Sequence, residues 1–154
     1  MKFLVSFLLI IFSCVEKKEE NSCDLLRTYS IKIPHLKFMN CEVVKQPSQN
    51  LIIANYRVET QHNKEVEKYL RDKYKMGKIV QFKWAYEVEN YKLGLIKSFK
   101  DKNGELLTLD VSMFGEMKSA YDPKEGKTVF CANRDEVPYY KVTIILSVPC
   151  TNKI

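Results

Sequence analysis

NKEVEKYLRDKYKMGKIVQFKWAYEV, residues 63–88, holds the two periodicities that decide the fold. From Lys64 to Met76, the apolar residues Val66, Tyr69, Leu70 and Tyr74 recur three or four positions apart and share one side of a helix. Lys64, Lys68, Arg71, Asp72 and Lys75 fall mostly on the other side. Asn63 suits the N-cap of this helix, and Gly77 suits the left-handed residue that would stop it. The Glu67 and Arg71 pair adds only ~0.2–0.5 kcal/mol. From Ile79 to Val88 the period changes to two. Val80, Phe82, Trp84, Tyr86 and Val88 alternate with Ile79, Gln81, Lys83, Ala85 and Glu87. This reads as one strand with a large apolar face, which puts Trp84 between sheet and helix. A helix laid on one face of an antiparallel sheet is an α+β arrangement.

Working outward, the same alternation recurs. Tyr140, Val142, Ile144, Leu146 and Val148 alternate with Tyr139, Lys141, Thr143, Ile145 and Ser147 in a final strand. Glu105 to Met113 places Leu107, Leu109, Val111 and Met113 inward, after an Asn103-Gly104 hairpin turn. Tyr91 to Phe99 reads as extended and broken near Gly94. Leu51 to Glu59 is a strand that pairs as a hairpin with Leu36 to Val44 across the turn-forming Gln46 to Asn50. In the earlier strand, Leu36 and Phe38 point one way, and Met39, Cys41 and Val43 the other. Ser22 caps a short helix whose apolar side is Leu25, Leu26 and Tyr29. Thr128 to Ala132 is a short edge strand, and Asn133 to Val137 a helical turn. The expectation is one domain over residues 23–150, with five or six antiparallel strands and the 64–76 helix on one face.

The chain begins MKFLVSFLLIIFSC. The apolar run from Phe3 to Phe12 is about half the ~20 residues a membrane span needs. It has the length of a secretory h-region, so residues 1–13 read as a signal peptide. Ile11-Phe12-Ser13-Cys14 resembles a bacterial lipobox, which implies cleavage before Cys14 and acylation of that cysteine. Residues 14–22 then form a charged, flexible tether. The place this implies is the bacterial cell envelope, on the periplasmic or cell-surface side, with the membrane reached through the lipid. The formal charge is +6 and the lysines are scattered along the chain. On an exported domain such a balance reads first as a solvated, lysine-rich surface. It reads second as a match for anionic glycans or lipid head groups, and not for nucleic acid. The partner expected is an envelope protein or an anionic glycan.

Four cysteines remain once Cys14 carries lipid: Cys23, Cys41, Cys131 and Cys150. In an oxidising compartment they predict two disulfides in one of three pairings. Cys23 with Cys41 is the first choice, since a short helix leads directly into the first strand. It leaves Cys131 with Cys150, which requires the turn around Asn133 to Val137 to redirect the chain. No C-x-x-C pair occurs, and neither histidine has metal-ligand spacing to a cysteine, so no metal and no cofactor are expected. His35 and His62 read as loop residues and not as catalytic bases. No H-E-x-x-H, G-x-S-x-G or phosphate-cradling glycine loop is present. Asp110 and Ser112 lie on the polar face of their strand and read as solvent-facing. Lys83, Trp84, Tyr86, Tyr91 and Lys92 interleave bases with aromatics, but alternation sends Trp84 and Tyr86 into the core, away from Lys83.

One wider pattern runs through the chain. It comprises Cys23 with Leu25 and Leu26, the stretch Pro34-His35-Leu36-Lys37-Phe38-Met39-Asn40-Cys41, and Ala54-Asn55-Tyr56-Arg57-Val58. Val66-Glu67-Lys68-Tyr69-Leu70 and Lys83-Trp84 complete it. It is similar to a small family of exported bacterial proteins whose domain has no assigned function. The resemblance implies an α+β domain and an export route, and it carries over no active-site residue. The function expected is a lipid-anchored binding module without catalytic activity. The alternative is a small envelope hydrolase.

Overall fold

A computed structural model describes residues 23–82, 85–116, 119–130 and 133–149. The expectations for Cys14, Ser22, Trp84, Cys131 and Cys150 concern residues outside that set. In chain order the elements are α1 (Leu25–Thr28), β1 (Lys37–Lys45), β2 (Gln49–Glu59), α2 (Asn63–Tyr74), β3 (Ile79–Phe82), β4 (Ala85–Val88), β5 (Gly94–Lys100), β6 (Leu106–Glu116), β7 (Ser119–Asp122), β8 (Lys127–Phe130) and β9 (Tyr139–Pro149). Seven strands form one antiparallel sheet in the order β1-β2-β9-β6-β4-β3. β5 shares an edge of β6 with β4, pairing along Leu106 to Val111, while β4 takes Gly115 and Glu116. β7 and β8 make a separate hairpin.

The core is the inward face of the three central strands. Cross-strand register sets Ala54, Tyr56 and Val58 of β2 opposite Ile144, Val142 and Tyr140 of β9. The same β9 residues meet Val111 and Met113 of β6, and Leu146 meets Leu109. All of these side chains are buried. Each one removed from water contributes roughly 1.5–3 kcal/mol, so this face alone supplies a large part of the driving force. Val66, Leu70 and Tyr74 of α2 and Leu25 and Leu26 of α1 close the same cluster. The α+β arrangement and the inward residues of β6 and β9 match the sequence pattern. The sheet has one strand more than expected.

Four local readings are corrected. The stretch 79–88 is two strands and not one, with Ile79 paired to Val88 and Phe82 to Ala85. The reversal changes which residues face the core: Ile79 is buried, whereas Phe82 is 51% exposed. In β1 the register shifts between Phe38 and Asn40. That bulge carries Phe38 and Cys41 onto the same side, where both pack on the core. Helix α2 ends at Lys75, which holds the left-handed conformation at φ 61°, and not at Gly77. Gly77 is needed for close packing, since a Cβ there would lie 2.8 Å from Val88 Cγ1. Finally, Asp24 is the N-cap of α1, accepting from the Arg27 amide.

The Cys23–Cys41 disulfide is present, with its Cα atoms 6.1 Å apart. It ties the residue ahead of α1 to β1, an arrangement that the short link between those elements permits. The β8 strand pairs with β7 and not with β9.

Gly115 sits under the Tyr140 ring, so close that a Cβ would overlap the ring carbons. Tyr140 is fully buried and cannot swing aside without opening a void. Gly115→Ala should therefore destabilise the domain by about 1–3 kcal/mol, measured as a lower urea midpoint with unchanged slope. An unchanged midpoint would mean that the Tyr140 ring does not lie on Gly115.

Candidate functional site

The start of α2 is unusually well fixed. Asn63, read from sequence as a cap, is the first residue of the helix and is buried. Its side chain donates to the Thr60 carbonyl and accepts from Arg134 Nε at 2.7 Å. Thr60 Oγ1 in turn donates to the Val137 carbonyl. One turn on, Glu67 is 92% hidden as a side chain and meets Arg134 Nη1 at 2.6 Å. Its other oxygen accepts from the Ile79 amide at 2.9 Å. The turn at Thr60–His62 and the first residues of α2 are thus held from two directions.

This scaffold presents His62 and Glu65. The link before β1 presents His35. Ile33 is buried in the core, Leu36 packs against it, and Tyr69 of α2 donates to the Lys32 carbonyl at 3.0 Å. His35 holds φ 60°, a conformation that costs a non-glycine residue about 1–2 kcal/mol. The result brings together the only two histidines of the chain. Their rings stack with centroids 3.8 Å apart and planes 6° from parallel. Glu65 Oε2 lies 3.2 Å from His35 Nε2 and 3.8 Å from His62 Nδ1. One donor atom from each of the three residues falls within 4.8 Å of the others. Spacing could not show this, because the histidines come from different elements far apart in sequence, and each looked like an isolated loop residue.

A small cavity of about 270 Å³ lies beside that link, lined among others by Asp24, Arg27, Lys32, Leu36, Phe38 and Tyr56. Its single carboxylate is already engaged. Asp24 Oδ1 accepts both the Arg27 amide and the Tyr56 hydroxyl, the latter at 2.7 Å. The Leu26 amide donates to the same hydroxyl at 3.0 Å. Burial holds the Tyr56 phenol well above the ordinary range, and its bond to Asp24 adds to this, while the Leu26 amide opposes it. The arrangement is a structural clasp of α1 on β2.

The face of the sheet away from the helices carries a third arrangement. Lys37, Arg57, Lys141 and Phe114 occupy one row across β1, β2, β9 and β6. The Arg57 guanidinium lies 4.6 Å over the Tyr139 ring and Lys141 Nζ 5.9 Å over Phe114. Arg57 also forms a two-point contact with Glu59 at 3.0 and 3.2 Å, with Lys37 at 3.8 Å from the same carboxylate. The Arg57 hydrogen bond holds Glu59 below the usual carboxylate range. In the next row, Asn55 donates to Asn40 at 2.9 Å and accepts from Thr143 at 3.1 Å. Sequence alternation gave Arg57 and Lys141 the same outward sense, but the pairing of β2 with β9 was not legible, so the row was missed.

The other sequence candidates do not converge. Asp110 and Ser112 face outward as expected, and Asp110 accepts from Thr108 at 3.2 Å. In that row Glu42 is three strand spacings away, roughly 14 Å, too far for two carboxylates sharing one bond. Tyr86 is buried beside Tyr140, whereas Tyr91 is 78% exposed, so the aromatic–basic interleave is split. Lys83 and Trp84 lie outside the described residues.

Fold and site together define an α+β domain: one antiparallel sheet, helices on its inner face, a cationic and aromatic row outside, and paired histidines at a helix start. Residues 12–83 match the family model of a domain of unknown function, DUF4952. The matched stretch includes Cys23, His35, Cys41, His62 and Glu65, but not Lys141 or Tyr139. No curated protein and no solved structure matches the chain. Among the described residues no helix is long and apolar enough to cross a membrane.

The buried phenols predict a pH limit. Burial raises Tyr56, and it raises Tyr140 to about 12. An unfolded chain releases such protons near 10. Between these values the unfolded state binds fewer protons, so stability is full below pH ~10 and falls as pH rises toward 12. Ultraviolet titration should show these two tyrosines ionising last, together with unfolding. Ionisation of all nine tyrosines near 10 with the fold intact would contradict their burial.

Proposed function

We propose that this protein is a lipid-anchored binding module of a bacterial cell envelope, and that its outer sheet face takes an anionic glycan. The observation that carries this reading is the row of Lys37, Arg57 and Lys141 with Tyr139 and Phe114 beside it. Glu59 offsets part of this charge through its contacts with Arg57 and Lys37, and the exposed Glu116 lies two residues beyond Phe114 on the same strand. Sugar rings stack on aromatic faces. The Lys37 and Lys141 ammoniums, with Arg57 held in place by its fork on Glu59, attract carboxylate or phosphate groups as charges. The sheet supplies the rigidity that keeps the loss of side-chain freedom small. Anchorage through Cys14 and the tether over residues 14–22 rests on the lipobox resemblance, and it would hold this face near the envelope polymers.

Two variants test the two halves of the proposal. Cys14→Ala should move the protein from the membrane to the soluble fraction and abolish lipid labelling, whereas continued membrane retention would sink the anchor. Arg57→Glu combined with Lys141→Glu should weaken binding of the full chain to polygalacturonate at least tenfold. Added salt should weaken the wild type in the same direction. Equal retention of variant and wild type on polygalacturonate, or retention on uncharged dextran as well, would rule out the outer face as the binding surface.

A further inference from the structure

We propose that His35, His62 and Glu65 form a mononuclear site for Zn²⁺ or a similar borderline divalent transition-metal ion. The site is separate from the sheet face and does not depend on the reading given to that face.

The donor set is the first argument. Two imidazole nitrogens and one carboxylate oxygen suit zinc and its neighbours, whereas calcium and magnesium prefer oxygen alone. The second argument is distance. Zinc binds nitrogen and oxygen at about 2.0–2.2 Å, so two ligands of a tetrahedral ion lie roughly 3.3 Å apart. His35 Nε2 and Glu65 Oε2 are 3.2 Å apart, and His62 Nδ1 is 3.8 Å from the same oxygen. No pair among the three exceeds 4.8 Å. Parallel rings cannot both aim an in-plane lone pair at one ion, so binding turns one imidazole out of the stack. The histidines are about one-third exposed and Glu65 is 62% exposed, which leaves their side chains room to turn on anchored backbones.

The third argument concerns orientation. His62 Nε2 is 3.3 Å from the Gln61 side-chain amide. The atom there is the amide nitrogen, a donor, so Nδ1 ligates a metal once the exposed Gln61 amide turns its oxygen round to accept the Nε2 proton. A second group that holds the remote ring nitrogen is what metal-binding histidines ordinarily have. Both histidines point a nitrogen at the same carboxylate oxygen, Glu65 Oε2. Two N–H groups can share that oxygen, and one divalent ion would take the place of both protons and join all three side chains. The two histidines are about one-third exposed, so a fourth position stays open to water or a small anion. Binding would fasten the link before β1 to the start of α2 and raise the melting temperature.

The test uses the full chain, freed of metal by chelation and titrated with ZnCl₂ in a calorimeter beside His35→Asn and His62→Gln. Asparagine tolerates the left-handed backbone at position 35, so that variant should keep its fold. The wild type should bind one ion, and each variant should bind at least tenfold more weakly. The ring C–H resonances of both histidines should shift together as zinc is added to the wild type, a readout that needs no variant to fold. Absence of zinc uptake, uptake that both substitutions leave unchanged, or titration that moves neither histidine resonance would overturn the site.

Discussion

The Glu67 and Arg134 pair is the constraint on which the rest of the arrangement hangs. Both groups are largely withdrawn from water, at 8% and 18% side-chain exposure, and they meet at 2.6 Å. Each also reaches elsewhere. Glu67 accepts the first amide of β3, and Arg134 donates to Asn63 and lies over the Tyr140 ring. Tyr140 returns a hydrogen bond to the Arg134 carbonyl at 3.2 Å. A charge pair this well hidden gains little net stability over an apolar one, but loss of one partner strands a buried charge at about 3–5 kcal/mol. Arg134 Nη2 is buried without a hydrogen-bond partner among the described residues, a cost that the rest of the network offsets. Its consequence is positional: α2, the turn before β9 and the entry to β3 hold one another in a single register.

Both surfaces with chemical potential depend on that register. The paired histidines need the α2 start and the link before β1 to stay in place. The cationic row needs β2 beside β9, a pairing between strands from opposite ends of the domain. Residues so distant in sequence must meet before the central face can be buried, which carries a loop-closure cost that local contacts do not. The Cys23–Cys41 bridge shortens one part of that search by fixing α1 to β1. The Asp24, Tyr56 and Leu26 clasp fixes α1 to β2 as well.

What the sequence showed and what it hid follow from range. Leu107, Leu109, Val111 and Met113, and Tyr140, Val142, Ile144 and Leu146, are all buried as their alternation predicted, because a strand's period is a local property. The amphipathic helix was legible for the same reason. The 79–88 stretch was misread because two four-residue strands in succession keep an alternating pattern through a reversal, so parity alone cannot find it. The bulge in β1 defeated the same logic, by joining Phe38 and Cys41 that a regular strand would separate. The Cys23–Cys41 bridge was readable from a short connection between two elements. His35 with His62, and Arg57 with Lys141, were not, since each pair is made by tertiary contacts or by the order of strands in the sheet.

The meeting of His35 and His62 is the point where the helix register, the link conformation and the candidate chemistry coincide. The chain has only these two histidines, so a through-space contact between imidazole protons admits one assignment. Nuclear Overhauser spectroscopy on the full chain measures it directly. Rings stacked at 3.8 Å should give strong cross-peaks between the two sets of ring protons. A folded protein with no cross-peak between them would contradict the account.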